Sequence, residues 1–173
     1  IADNCSTDST FKTLVEIAKQ EKRITLYQHT VNIGAENNFS FVKDYAKSEY
    51  FMWAAHDDTW SPTHLEQAVK ILDNNPSIGF VFPQFSLKSI KFLIKKKIDR
   101  RIFSFIESTD SDHRIRSFCN LHHSSHKCNM VYSLFRLEIL DRACRTHNIK
   151  NDGLLSVIIL SISRGQVSEK GTF

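Results

Sequence analysis

The sequence predicts an α/β domain with a mostly parallel sheet, and three observations predict it. Short apolar runs of strand length alternate with helix-patterned stretches of about ten residues or more, the signature of strands joined by helical crossovers. Tyr50 to Ala55 is an unbroken apolar and aromatic run, which suits a strand buried on both faces. Polar clusters follow the predicted strands, where open α/β sheets bind ligands.

Taken in order, Ile1-Ala2 reads as a short strand running into the polar turn Asp3 to Asp8. That opening predicts a chain that starts inside a fold. Ser9 or Thr10 is expected to cap a helix with Phe11, Leu14, Val15 and Ala18 on one face. A strand is expected at Ile24 to Tyr27, a break at Asn32-Ile33-Gly34, and a helix at Ala35 to Lys47 that uses Val42, Tyr45 and Ala46. After the buried run, Ser61 as N-cap and Pro62 at the first helical position predict a helix with the stripe Leu65, Ala68, Val69 and Leu72. Asn74-Asn75-Pro76 stops it, and Gly79 to Pro83 reads as another buried strand.

Beyond Gln84 the pattern weakens. Residues 87 to 106 read as an amphipathic helix or helical pair, and 107 to 129 as a polar loop. A strand is expected within Met130 to Phe135, helices at Leu137 to His147 and Gly153 to Ser163, and a last strand at Gln166-Val167-Ser168.

Composition sets bounds on function. The 173 residues are 41% hydrophobic and 24% charged, which suits one globular domain. No apolar run reaches the roughly 18 residues of a membrane span. Four scattered cysteines without a Cys-x-x-Cys pair imply reduced thiols and a cytosolic setting. The net charge of +4 is concentrated in Lys88, Lys91, Lys95, Lys96, Lys97, Arg100 and Arg101, interleaved with apolar residues. That pattern reads either as a helix with a solvated basic face or as a surface, residues 88–101, that meets anionic lipid. No recognition motif supports a nucleic-acid partner.

Three polar clusters hold the candidate chemistry: Asp3 to Asp8, His56-Asp57-Asp58, and Asn151-Asp152. Adjacent carboxylates after a buried strand are costly unless a cation meets them. A divalent metal carrying a diphosphate would do so, since hard oxygens suit Mg²⁺ or Mn²⁺. A solvated turn before the Ser61 cap is the plainer account of the same two residues. Cys119, His122, His123, His126 and Cys128 invite a zinc reading, but their spacing is not that of a finger, and a polar loop explains them as well.

Asp3-Asn4-Cys5-Ser6-Thr7-Asp8-Ser9-Thr10 resembles the Asp-(Asp/Asn)-x-Ser-x-Asp-x-Thr signature of glycosyltransferase family 2, the large inverting family with the GT-A fold. About fifty residues on, Glu49 to Pro62 resembles that family's strand, its Asp-x-Asp equivalent and its Pro-containing helix start. Asn32-Ile33-Gly34 and Asn37 match the family's Asn-x-Gly-x-x-x-Asn spacing loosely. Phe135-Arg136 and Asp152-Gly153-Leu154-Leu155 are similar to its acceptor-side segment.

The resemblance implies a three-layer GT-A sandwich, incomplete at its N-terminus, with a nucleotide- and metal-binding half over residues 1–83 and an acceptor-side half over 84–173. It implies transfer of a sugar from a nucleotide-diphosphate donor to a hydroxyl of a saccharide or lipid-linked acceptor, with inversion, in polysaccharide or glycoconjugate synthesis. By that likeness Asp3, Asn4 and Ser6 hold the nucleotide, and Asp57 faces the ribose or a diphosphate-bound water. Asp58 binds Mn²⁺ or Mg²⁺, and Asp152 is the general base. The expected place is the cytoplasm or the inner face of a membrane.

Departures keep other accounts open. The family's first strand is missing, His56 replaces an acidic or small residue, and the late acidic pair is Asn151-Asp152. A domain that binds nucleotide or a partner without catalysis fits the same fold. A nucleotidyltransferase fits less well, because the five glycines form no phosphate loop. For Asp152 the alternative is a carboxylate favoured by a helix dipole.

Overall fold

The computed structural model describes residues 1–89, 94–123, 126–146 and 152–168, with the backbone alone at 88, 89, 94–97 and 146. The chain packs as two compact units, Ile1–Lys47 and Ser48–Phe173.

In the first unit, β1 (Ala2–Asp3) pairs in parallel with β2 (Tyr27–Gln28), and α1 (Thr10–Gln20) is the crossover between them. Helix α2 (Ala35–Asp44) follows. The expected strand at Ile24 to Tyr27 is thus shifted to Tyr27–Gln28, and Tyr45, expected on the buried face of α2, is 59% exposed. Neither helix has a buried residue, so this unit draws little on a hydrophobic core. Side-chain hydrogen bonds to the backbone organise it instead, as described below.

The second unit is built on a four-stranded sheet in the order β3-β7-β4-β8. The strands are β3 (Tyr50–Phe51), β4 (Ile78–Phe82), β7 (Leu134–Arg136) and β8 (Arg164–Val167). Strand β7 is antiparallel to both β3 and β4, while β8 is parallel to β4. Three strands therefore point one way and β7 alone runs back. All five residues of β4 are buried, as the apolar run requires. On one face of the sheet, α3 (His64–Asn74) contributes Ala68 and Leu72 to a core with Ile78, Val81 and Leu134. Phe80 meets Phe135 at 5.8 Å between ring centres, and Phe82 meets Phe103 at 4.8 Å. Gly165 of β8 lets the Phe80 ring close against it; a Cβ there would overlap that ring.

Several expectations are corrected. Helix α3 starts at His64 with Thr63 at the N-cap position, not at Pro62 behind a Ser61 cap. The Ser61 carbonyl accepts the His64 N–H at 3.0 Å, so the Ser-Pro turn precedes the helix. Leu65 is 50% exposed because the buried stripe runs through His64, Ala68 and Leu72. Residues 87 to 106 are not one amphipathic helix. A hairpin of β5 (Ser86–Ser89) and β6 (Ile94–Lys97) leads to a 3-10 helix, Arg100–Glu107, that buries Phe103, Phe105 and Ile106. The buried Phe85 and Ile98 close the base of the hairpin, where the Ile98 N–H donates to the Phe85 carbonyl. Ile90, Lys91, Phe92 and Leu93 lie outside the described residues.

The expected polar loop over 107 to 129 contains a helix, α4 (Ser111–Asn120). Asp110 caps it by accepting the Asp112 and His113 N–H groups at 2.9 and 3.3 Å. A 3-10 helix, Lys127–Tyr132, precedes β7. Helices α5 (Leu137–Thr146) and α6 (Asp152–Ile162) fall where the periodicity puts them.

Candidate donor and acceptor site

In the first unit one candidate cluster begins with Asp3, the last residue of β1 and only 4% exposed. Its carboxylate accepts the Ser6 hydroxyl, the Ser6 N–H at 3.1 Å and the Gln28 amide at 3.2 Å. Burial pushes the Asp3 carboxyl up, but these donors together outweigh it and hold the pKa below the ordinary value. The turn that brings Ser6 back to Asp3 needs Cys5 at a φ of 63°, a left-handed conformation unusual for a residue other than glycine.

Asn4 ties this turn to the next. Its amide donates to the Asn32 side chain at 3.0 Å and its oxygen accepts the Ile33 N–H at 2.9 Å. Gly34, at a φ of 84°, then donates its N–H to Asn32 and opens α2. Asn38 closes the network by donating to the Ala2 carbonyl at 3.2 Å and meeting the buried His29 ring at 3.1 Å. Asp3, Asn4 and Ser6 are thereby drawn into one hydrogen-bonded polar turn at the end of β1.

In the second unit the chain leaves β3, passes the buried Trp53 and turns at His56-Asp57-Asp58, with the Asp58 N–H on the Ala55 carbonyl at 3.4 Å. Asp58 is exposed as a residue, yet its carboxyl is partly withdrawn from water. That desolvation, reinforced by the charge of Asp57 and opposed by His56, raises its pKa above the ordinary value.

Topology brings two further groups to the same end of the sheet. Because β7 runs antiparallel to β3 and β4, its start lies beside their finish, and Tyr132 ends the 3-10 helix that leads into it. Helix α6 feeds the start of β8, which is parallel to β4, so its opposite end, with Asp152 in the first turn, returns to the side where β4 finishes. Burial raises the Tyr132 pKa first, and the charges of Asp152, Asp58 and Asp57 raise it further. One half-buried phenol thus feels all three carboxylates. Asn151 lies outside the described residues.

The sequence profile described as Glycosyl transferase family 2 matches residues 1–140. The chain belongs to glycosyltransferase family 2. Solved structures agree in fold. The crystal structure of S. aureus TarS 1-349 is similar at a TM-score of 0.67 and 16% identity, covering 99% of this chain and 49% of that one. The same protein in complex with UDP-GlcNAc gives 0.69 at 16% identity, covering 99% and 48%. A longer crystal structure of TarS gives 0.67, with 30% of its chain covered. This family 2 chain therefore spans about half the length of the TarS 1-349 structures it resembles. No curated protein sequence matches it.

Among the described residues, no three His, Cys, Asp or Glu side chains gather closely enough to hold a metal. Cys119, His122, His123, His126 and Cys128 are among the described residues and gather no such ligand set. The two adjacent carboxylates of Asp57 and Asp58 are nevertheless hard oxygen donors of the kind a divalent cation takes alongside phosphate.

Two contributors were missed in the sequence. Asn38, not Asn37, completes the family 2 spacing with Asn32 and Gly34, and counting positions strictly would have found it. Asn37 instead donates to the Ile33 carbonyl at 2.7 Å. Tyr132 had no signal, because only the antiparallel return of β7 carries it to the acids. Trp53 is core, as expected, packing on Phe51 at 4.9 Å. Trp60 lies 5.0 Å from the ring of the buried His64.

Proposed function

We propose that this chain carries the catalytic centre of an inverting, metal-assisted glycosyltransferase that moves a sugar from a nucleotide-diphosphate donor to an acceptor hydroxyl. The observation that supports it best is the convergence of Asp57, Asp58 and Asp152 on Tyr132 at one end of the sheet. Asp3, Asn4 and Ser6 form the nucleotide-binding turn, with Asp3 kept ionised by its donors. Asp57 faces the ribose or a diphosphate-bound water.

Asp58 holds Mn²⁺ or Mg²⁺, which when bound neutralises the diphosphate leaving group. Asp152 takes the proton from the acceptor hydroxyl, whose oxygen then forms the new bond to the anomeric carbon as the bond to the diphosphate breaks on the opposite face. Asp152 stands in the first turn of α6, where the helix dipole favours a carboxylate. A uridine diphosphate donor is the first to test, since the similar TarS structure is a complex with UDP-GlcNAc.

The acceptor is a saccharide or a lipid-linked saccharide, in polysaccharide or glycoconjugate synthesis. The basic stretch of sequence over residues 88–101 would meet a membrane from the cytoplasmic side. Among the described residues no helix is long and apolar enough to cross one.

Calorimetric titration of UDP, GDP and CDP, with and without Mn²⁺, on the wild type and Asp58→Asn tests the reading. Metal-dependent binding of one nucleotide, lost in Asp58→Asn, is the expected result. Nucleotide binding that ignores both metal and substitution would sink the assignment of Asp58.

A further inference from the structure

A cavity of about 340 Å³ opens at the other end of the sheet from the three carboxylates. Its walls include Ser77 and Ile78 at the start of β4, Arg136 at the end of β7, and Ser163 and Arg164 at the start of β8. Helix α6 runs from Asp152 to Ile162, so about 15 Å of helix, at roughly 1.5 Å per residue, separates the two ends. Gly79 forms part of the wall, and a Cβ there would overlap the Ser163 side chain.

Three arginines line this space, and they differ in what occupies them. Arg136 is fully engaged: Nε donates to the Ile78 carbonyl at 3.0 Å, Nη2 to the Leu72 carbonyl at 2.6 Å, and Nη1 faces Glu49 at 3.4 Å. Arg114, only 5% exposed, donates from Nε to the Leu160 carbonyl and from Nη1 to the Ser108 carbonyl, both at 2.8 Å. Its Nη2 has no partner among the described residues. Arg164 donates from Nη2 to the Ser77 hydroxyl at 2.6 Å and has no carboxylate partner among the described residues.

Negative charge near the cavity is sparse. Glu138, an exposed residue, is the single acid among the lining residues, and Glu49 is taken by Arg136. Burial lowers the Arg114 pKa; Asp110 opposes this, and Arg164 adds the repulsion of a like charge. Two guanidinium-bearing residues on the wall of one concave space suit a doubly charged oxyanion. Water occupies about 30 Å³ per molecule in the liquid, so the volume exceeds what a bare phosphate fills.

We propose that this cavity binds a small phosphorylated molecule, its phosphate held by Arg164 and Arg114 with the Ser77 and Ser163 hydroxyls beside it. The cavity lies at the other end of the sheet from Asp57, Asp58 and Asp152 and does not depend on the proposed transfer reaction.

The test is calorimetric titration of the full chain, in EDTA, with inorganic phosphate and with glucose 6-phosphate. Wild type, Arg164→Gln and Asp58→Asn are compared, each confirmed as folded by circular dichroism. Arg164→Gln removes the charge at a half-buried position whose bond to Ser77 is exposed, so its fold is expected to survive. Binding by the wild type and Asp58→Asn that is weakened at least tenfold in Arg164→Gln, and is not displaced by UDP, supports the site. Tighter binding of glucose 6-phosphate than of inorganic phosphate supports an ester as the ligand; equal binding assigns the site to free phosphate and overturns the ester. No binding by folded wild type, equal binding by Arg164→Gln, or displacement by UDP would each overturn the site itself.

Discussion

The two compact units reach order by different means. In Ser48–Phe173, β4 is buried along its whole length and the aromatic and aliphatic side chains around it form a closed core. In Ile1–Lys47 the helices bury nothing completely, and Ile17, Val31 and Tyr45 stand 46%, 62% and 59% exposed. There the order comes from Asp3, Asn4, Asn32 and Asn38, whose side chains take up backbone and side-chain hydrogen bonds at fixed geometry. The difference teaches that a turn can be ordered without a core beneath it, provided each polar group has its partner. Such order is directional and local. Apolar packing tolerates loss of a hydrogen bond, whereas a turn of this kind does not.

The most severe way to break the comparison is at the chemistry of the second unit. Asp152→Asn should lower kcat by about 10² to 10⁴ while leaving nucleotide binding intact, as removal of a general base does. Transfer assays beside donor titration check it, and an unchanged kcat would remove Asp152 from the reaction. Next comes the core. Leu72→Ala, at a fully buried position, should cost about 2–5 kcal/mol in urea unfolding. The control Leu65→Ala, at a half-exposed position of the same helix, should cost about 0.5 kcal/mol or less. Similar losses for the two would contradict the helix face assigned to α3.

A smaller effect sharpens the polar side of the comparison. Asp3→Asn should cost about 1.5–3 kcal/mol near neutral pH, the range for hydrogen bonds to a charged group. The sign of its pH dependence follows from the depressed pKa of the folded carboxyl. The stabilisation is present above the ordinary value of 3.8 and disappears as pH falls through the lower folded value. Wild type and Asp3→Asn should therefore converge in stability once the pH is below the folded pKa of Asp3, and a gap that persists there would mean that shape, not charge, holds the turn. The smallest effect concerns the start of α1. Asp8, not Ser9, accepts the Thr10 N–H, at 2.9 Å. Asp8→Ala should speed hydrogen exchange of the Thr10 amide, and Ser9→Ala should leave it unchanged.

Much of this protein was legible in order along the chain. The apolar run at Gly79 to Pro83 demanded burial on both faces, and β4 at Ile78–Phe82 has it. The 3.6-residue periodicity placed α5 and α6 to within a residue or so at the ends described, since a helix face is a local property of spacing. The two acidic motifs could be read as strand-end clusters because sheet ends are where an α/β fold exposes polar groups.

Other elements were hidden for physical reasons. Helix α4 escaped notice because its buried face is carried by Arg114 and Phe118, and a periodicity count scores an arginine as solvent-facing. Nothing local says that Arg114 will find the Leu160 carbonyl, 46 residues away. The basic stretch over Lys88 to Arg101 looked helical because lysines and apolar residues alternate irregularly. Cross-strand pairing from Ser86↔Lys97 to Ser89↔Ile94 decided for a hairpin. Residue types and spacings alone indicated the α/β fold class and the strand-end acids, and the resemblance of two motifs to glycosyltransferase family 2 indicated the family. The reversal of β7, which sets Tyr132 beside the acids and Arg136 at the far cavity, was decided only in three dimensions, because strand direction depends on which neighbours pair.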